Sequence, residues 1–359
     1  MRTVCLIRWD MSLKGGAEKM TALLANELSA YHNVIVLSLF SENRKIAYEF
    51  NRNVEVYCLS ACRKPLRYQI LYVLFRFIYF MLKKHVEVVF LIDTTVFWLS
   101  PILYFMGIKN ISCEHSNLKN KDRLNKKYMC LRYLAVKYTD CIVTLTQEDR
   151  DAYIDRFNVK SSNICCIYNF IDQMEYENRY NVDSKIIVSV GRFDRIKGYE
   201  MLVDVAEMVF REYKDWIWHI YGDGDKKYFK EIKALIKERN LEKNIILMGQ
   251  TDDVDSVYDN AAMLVLTSYN EGLPMVLLEA KQHHLPIISF MCPTGPAEIV
   301  ENGISGFLIP CYDKVVMAKK IIYLIENKSS RNKFSMEAVT NLGKFSKEVI
   351  ITKWLDLLR

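Results

Sequence analysis

Short apolar runs alternate with amphipathic stretches along the whole chain. Runs at 2–9, 34–40, 54–59, 86–92, 111–113, 142–146 and 164–168 are rich in Val, Ile and Leu, and read as strands. Helical periodicity separates most of them, first over 17–31. Strands alternating with helices predict a parallel, doubly wound α/β sheet. Residues 171–184 then turn polar and lose the period, which predicts a linker. The pattern restarts with strands at 185–190, 216–221, 245–248, 263–266, 286–290 and 306–309. An amphipathic helix carrying Trp354 covers about 346–358. Two such arrays in 359 residues predict two domains, 1–170 and 185–344, with 171–184 between them and 345–359 as a terminal helix.

One helix breaks the amphipathic rule. Residues 66–84 (LRYQILYVLFRFIYFMLKK) are apolar nearly all round, and Lys83-Lys84 close them. Burial between sheet and helices is one account; an outer face lying in a membrane interface is the other. Charge favours the second. Residues 1–180 hold 25 Lys and Arg against 18 Asp and Glu, a net of +7, while 181–359 net −1. The basic stretch 118–127 (LKNKDRLNKK) follows in the same half, so an anionic membrane surface is an expected partner. Nucleic acid is not expected, because the basic residues are not interleaved with aromatics in one module.

Composition adds bounds. Apolar residues at 51% and charged at 26% are globular values. The ten cysteines show no paired CxxC spacing and read as reduced, core-filling thiols of a cytoplasmic protein. MRTVCLIRWD reads as a first strand, not a signal peptide, and no apolar run predicts a spanning helix.

The candidate chemistry lies at strand–loop–helix junctions. In 264–281 (LVLTSYNEGLPMVLLEAK) a strand leads through Glu271, Gly272, Leu273, Pro274 and Met275 into a helix carrying Glu279. Proline suits a helix start, glycine admits close backbone approach, and the helix N-terminus is a phosphate seat. Two carboxylates at different depths could then grip hydroxyls of a nucleotide-sugar whose diphosphate sits at the helix tip. A second junction, 191–198 (GRFDRIKG), offers Arg192 and Lys197, two cations suited to a diphosphate. Gly15 and Gly16 precede the first helix as a further candidate phosphate cradle; taken alone, a tight turn needing positive φ is the favoured reading. His115, in 112–117 (SCEHSN), is the one histidine of six at a strand's C-terminal end beside polar residues, where open α/β sheets bind ligands. Asp223 and Asp225 form a D-x-D after a strand, but a glycine turn capping the next helix is preferred to a metal site. Gly249 ends the strand before Asp252-Asp253.

Taken in order, GRFDRIKG, YGDG, NEGLPMVLLEA, GPAEIV and NGISGFLI resemble the retaining glycosyltransferases of family 4, with Glu271-x7-Glu279 as the signature. KGGAEKM (14–20) and CEHSN (113–117) extend the resemblance to the first half. The resemblance implies a GT-B fold: two Rossmann-like domains facing across a cleft, the last helix crossing back to the first. It implies that Arg192 and Lys197 hold the donor diphosphate, Glu271 the donor sugar and Glu279 the ribose. Gly249, Gly272, Leu273, Pro274 and Met275 would line the nucleotide-sugar site. Gly15 and Gly16 would approach the phosphates, and His115 would lie at the reacting sugar. No metal or other cofactor is expected. The SCEHSN and GPAEIV motifs resemble members that build bacterial surface polysaccharide on lipid carriers. The expected donors are UDP-Gal, UDP-GalNAc or UDP-GlcNAc, and the expected acceptor is a glycan, polyprenyl-linked, met on the inner face of the cell membrane. Two alternatives compete. A GT-B UDP-sugar epimerase needs an acid/base carboxylate pair that is not evident. A non-catalytic subunit would not need Glu271, Glu279, Arg192, Lys197 and His115 together.

Overall fold

The computed structural model describes residues 1–41, 45–60, 70–119, 125–172, 177–251 and 253–359. Residues 66–69 of the aromatic helix, 120–124 of the basic stretch, 173–176 of the polar segment, Cys62 and Asp252 lie outside these. The chain divides into two compact units, Met1–Asn169 with Glu348–Arg359, and Phe170–Lys347.

In the first unit the strands are β1 (Thr3–Asp10), β2 (Asn33–Phe40), β3 (Val54–Ser60), β4 (Val88–Ile92), β5 (Lys109–Glu114), β6 (Cys141–Thr144) and β7 (Ile164–Cys166). They form one parallel sheet in the order β3-β2-β1-β4-β5-β6-β7. The five side chains of β4 (VVFLI) are all buried, which is why the strand reads as a continuous apolar run. Helices α1 (Gly16–Leu28), α2 (Ile70–Lys83), α3 (Ser100–Phe105), α4 (Lys126–Tyr138) and α5 (Gln147–Phe157) join the strands. Asn125 and Thr146 cap α4 and α5 through their side chains.

The second unit repeats the plan. Its strands are β8 (Ile186–Val190), β9 (Ile217–Tyr221), β10 (Ile245–Gly249), β11 (Met263–Leu266), β12 (Ile287–Phe290) and β13 (Gly306–Ile309), ordered β10-β9-β8-β11-β12-β13 and all parallel. The helices are α6 (Tyr199–Phe210), α7 (Lys226–Glu238), α8 (Val254–Asp259), α9 (Met275–Gln282), α10 (Pro296–Ile299), α11 (Lys314–Glu326) and α12 (Lys328–Glu337). Its core gathers Val203, Ala206, Trp218, Val265, Ile288 and Ile321 between sheet and helices. The polar segment is tied down at its second half: the Tyr180 hydroxyl donates to the Ala262 carbonyl at 2.9 Å, and Arg331 donates to the Val182 carbonyl at 2.6 Å.

The last helix, α13 (Lys347–Leu358), follows the second sheet in sequence, yet its residues from Glu348 belong to the first unit. There Trp354 stands edge-on to Phe90, ring centroids 5.1 Å apart, and Lys109 donates to the Leu357 carbonyl at 2.7 Å. The aromatic helix departs from the account of full burial. Only Val73, Phe77 and Met81 of α2 are buried. Among the described residues no helix is long and apolar enough to cross a membrane.

Candidate functional site

Sheet order decides where the second unit can bind. Strands β9 and β10 add on one side of β8, and β11 to β13 on the other. Loops leaving the C-terminal ends of β8 and β11 therefore diverge, and a crevice opens at this switch point. The β8 loop is 191–198 and the β11 loop is 267–274, so the sheet joins the two motifs that sequence spacing kept apart. Three links lock them. The Tyr269 N–H donates to the Ile196 carbonyl at 2.7 Å, and the Thr267 hydroxyl to the Lys197 carbonyl at 2.9 Å. Gly198 has φ of 61°, and a Cβ there would come within 2.4 Å of the Thr267 carbonyl.

Across these loops Lys197 Nζ meets Glu271 Oε1 at 2.7 Å, with the two side chains only 19% and 11% exposed. The Ser268 hydroxyl donates to the same oxygen at 2.6 Å. The Tyr199 hydroxyl donates to the Gly191 carbonyl at 2.8 Å. Burial raises its pKa, with the charge of Glu271 adding, so it stays a neutral phenol. Arg192 stands further out, 58% exposed, and pairs with Asp194 at 3.1 Å, not with Glu271.

The helix start expected to seat an anion begins one residue later than the sequence suggests. Pro274 is the residue before the helix, with φ −73° and ψ 100°, and α9 starts at Met275. The 291–295 loop braces it from behind. The Thr294 hydroxyl donates to the Glu271 carbonyl at 2.7 Å, and a Cβ on Gly295 would sit 2.6 Å from Pro274 Cδ. First-turn amides of a helix have no intrahelical acceptor, so those of Met275 and Val276 with the dipole's positive end favour an anion here. Leu273 is buried beneath the loop. Glu279, a turn further along α9, accepts from the Tyr258 hydroxyl at 2.8 Å.

The glycine turn after β9 supports the cationic loop. Gly222 has φ of 141°, and a Cβ there would fall 2.0 Å from the Gly191 carbonyl. The Phe193 N–H donates to the Asp223 carbonyl at 3.0 Å, and the Asp225 N–H to the Phe193 carbonyl at 2.8 Å. Asp225 caps α7 by accepting from the Tyr228 N–H at 2.7 Å, and Asp223 accepts from the Gly224 N–H at 2.7 Å. Both acidic groups are thus used within the turn. Gly249, φ 75°, accepts from the Gly222 N–H at 2.8 Å.

In the first unit the switch point lies between β1 and β4. Arg8, on β1, is buried there. It donates to Glu18 of α1 at 2.7 and 2.9 Å and lies 3.1 Å from Asp93, just past β4. His115, half-buried at the end of β5, is pushed down to about 4 by burial and then by Arg8, while Asp93 and Glu114 pull the other way. It is therefore a neutral imidazole at pH 7. Its loop is anchored by Glu114, which accepts from Arg132 at 2.8 Å, Thr94 at 2.8 Å and Tyr153 at 2.6 Å. The turn account of Gly15 and Gly16 does not hold. Gly15 is extended at φ −150°, and neither residue has a positive φ. A Cβ on Gly16 would meet nothing within 4 Å, so packing does not require glycine there.

Sequence reasoning missed Arg8, Glu18 and Asp93, and it missed Ser268 and Tyr258 as holders of the two glutamates and Tyr199 as a holder of the Gly191 carbonyl. A signal existed for Arg8, a lone cation inside an apolar strand run. The hydroxyls gave none, since serine and tyrosine are common in loops and helices.

Comparison with known proteins matches both halves of the chain. Residues 14–174 match Glycosyltransferase Family 4, and residues 171–340 match Glycosyl transferases group 1. The chain is 26% identical over 359 residues to the amylovoran biosynthesis glycosyltransferase AmsD of Erwinia amylovora, covering 97% of each. It is 25% identical over 355 residues, 96% of this chain and 95% of the other, to a Campylobacter jejuni enzyme. That enzyme is named as an alpha-1,4-N-acetyl-D-galactosaminyltransferase acting on GalNAc-alpha-(1->4)-GalNAc-alpha-(1->3)-diNAcBac-PP-undecaprenol. Among solved structures, a mutant of S. aureus TarM in complex with fondaparinux, alpha-GlcNAc-glycerol and UDP superposes with a TM-score of 0.84 at 17% identity, covering 100% of each chain. With both halves matched in order and each built on its own parallel sheet, this chain belongs to the family 4 and group 1 glycosyltransferases of GT-B fold.

Proposed function

We propose that this glycosyltransferase moves a hexose or N-acetylhexosamine from a UDP-sugar, with retention of anomeric configuration, onto a lipid-linked glycan in the assembly of a bacterial surface polysaccharide. The observation that carries the reading is the Lys197–Glu271 pair at the β8/β11 switch point, beside the N-terminus of α9. A cation, a helix tip and a carboxylate converge there, which matches the diphosphate and hydroxyls of one donor. The names of the relatives support the setting. The Erwinia protein serves amylovoran biosynthesis, and the Campylobacter enzyme acts on an undecaprenyl-diphosphate glycan. The TarM complex contains UDP.

In this mechanism α9's first-turn amides, Lys197 and Arg192 hold the diphosphate. As the bond from the sugar C1 to the phosphate oxygen breaks, they stabilise the charge growing on the leaving UDP. Glu271 orients the donor sugar through its hydroxyls, and Glu279 holds the ribose. The acceptor hydroxyl oxygen bonds to C1 from the face the UDP leaves, and its proton passes to the departing phosphate oxygen. No side chain acts as a strong base. Neutral His115 offers a hydrogen bond to the reacting sugar. No metal is required, since the cations answer the diphosphate charge. UDP-hexoses carry an α-linked sugar, so retention gives an α-glycoside, and the Campylobacter name specifies an alpha product.

The test is transfer from UDP-Gal, UDP-GalNAc and UDP-GlcNAc to a polyprenyl-diphosphate oligosaccharide in EDTA, with the product anomer read by proton NMR. An α-linked product formed at full rate in chelator is expected. A β-linked product overturns retention, and loss of rate in EDTA restored by a divalent ion overturns metal independence.

A further inference from the structure

Helix α2 gives only one side to the sheet. Val73, Phe77 and Met81, four residues apart, are buried in the core of the first unit. The opposite side presents Leu71, Phe75, Tyr79 and Leu82, each between 62% and 73% exposed. A helix side facing water ordinarily carries charges and short polar groups. The charges of α2 are two cations, Arg76 and Lys83, with no carboxylate among its 14 residues. Arg76 lies 5.4 Å from the Tyr72 ring centroid and Lys83 lies 5.7 Å from that of Tyr79. Both charged groups thus lie over aromatic rings of the exposed side, so cations and apolar surface share one face.

The surface continues past the helix. A groove of about 380 Å³ runs from Met81 and Leu82 to Met106 and Ile108. Beside Met106, the tip of α3 exposes Tyr104 and Phe105, the latter by 77%. Of the nearby carboxylates, Glu55 is held by Lys84 at 2.5 Å, while Glu87, in the groove, accepts from the Thr3 N–H at 2.9 Å and keeps its charge. Against that one carboxylate, Arg76 and Lys83 leave the face net positive. A contiguous aromatic and aliphatic patch of this kind on a water-facing helix marks an interaction surface. Two cations at its edge, with no opposing carboxylate on the helix, select an anionic one.

We propose that the outer face of α2, with the tip of α3, docks on an anionic lipid bilayer, the aromatic rings at headgroup depth and Arg76 and Lys83 against lipid phosphates. It rests on the reading above only for its purpose, meeting a lipid-linked acceptor; vesicle binding itself needs neither donor nor acceptor.

The full chain would be sedimented with vesicles of about 3:1 phosphatidylethanolamine to phosphatidylglycerol, and with pure phosphatidylcholine, at low and high salt. Binding to the anionic vesicles is expected to be about tenfold or more stronger than to neutral ones, and to weaken with salt. Phe75→Glu with Tyr79→Glu is expected to lower it a further tenfold or so, with unchanged thermal unfolding and unchanged transfer to a water-soluble acceptor. Binding by the double variant equal to wild type, or no binding by wild type, overturns the proposal. So does a wild-type dimer that the same substitutions turn into a monomer without lipid, since the face then belongs to a second copy. If the double variant does not fold, Phe75→Trp replaces it. Brominated acyl chains should quench its added fluorescence, and unquenched added fluorescence overturns the proposal. Vesicle binding without any sugar transfer would count against the glycosyltransferase reading and leave the docking surface standing.

Discussion

Lys197 and Glu271 are 74 positions apart, and they meet at 2.7 Å because two loops leave neighbouring strands. In the proposed mechanism a diphosphate arriving at α9 would compete with Glu271 for that ammonium and release the carboxylate to the sugar. Lys197→Ala should therefore lower kcat/KM by about 10²–10³, the usual loss when one charge-stabilising donor is removed from a transition state. Steady-state kinetics with the matched donor check it; a loss below threefold contradicts the assignment. His115 gives a pH signature. Its folded pKa near 4 lies below the ordinary 6.5, so the native imidazole is neutral from about pH 5 upward. The acid limb of kcat/KM that belongs to His115 should fall near pH 4. Arg8→Met leaves Glu18 and Asp93 without their cation, so the imidazole pKa rises and the limb moves toward neutral pH. The same shift acts on stability. Between about pH 4 and 6.5 the unfolded chain binds a proton that the native His115 does not. Its contribution is thus fully present above 6.5 and lost as pH falls through that window. Thermal melts of wild type and His115→Asn from pH 4 to 7 should converge toward the acid end.

Among the elements, the glycine junctions separate packing from function. Gly222 holds φ of 141° with a Cβ position 2.0 Å from the Gly191 carbonyl. Gly222→Ala should cost about 2 kcal/mol or more in stability and disturb the loop carrying Arg192 and Lys197, measured by denaturant unfolding. Gly16 has open space around its Cβ position and no special φ, so Gly16→Ala should leave the melt unchanged and raise the donor KM. Equal stability loss in both variants would contradict that division. The strands themselves were legible because parallel strands buried on both faces read as continuous apolar runs, as β4 and β11 do. Each phosphate-type loop was legible by its glycines and charges. What the spacing could not give was adjacency. Nothing in the order of residues says that β8 lies beside β11, or β1 beside β4, so neither Lys197–Glu271 nor Arg8–Asp93 was readable as a pair. Helix α2 marks the same boundary. Apolarity on all sides is written in its sequence, but which side meets the sheet depends on packing.

At the scale of the whole molecule, the first unit is completed by the end of the chain. Trp354 is buried against Phe90, Lys109 binds the Leu357 carbonyl, and Arg2 donates to the Arg359 carbonyl at 2.9 Å. Trp354→Ala should cost about 3–5 kcal/mol, and removal of 348–359 should lower the melting temperature further. A truncated chain as stable as the full one would contradict this account of α13. Each sheet carries its candidate loops at its own switch point, and the central claim concerns the second sheet. The measurement that tests it most directly is a panel of UDP- and GDP-sugars in EDTA, read by thermal shift and by slow donor hydrolysis, with wild type and Glu271→Ala side by side. The account predicts that one UDP-hexose or UDP-N-acetylhexosamine stabilises the wild-type protein and is slowly hydrolysed, and that Glu271→Ala loses both responses. Stabilisation and hydrolysis that persist in Glu271→Ala, or a response to GDP-sugars alone, would contradict it.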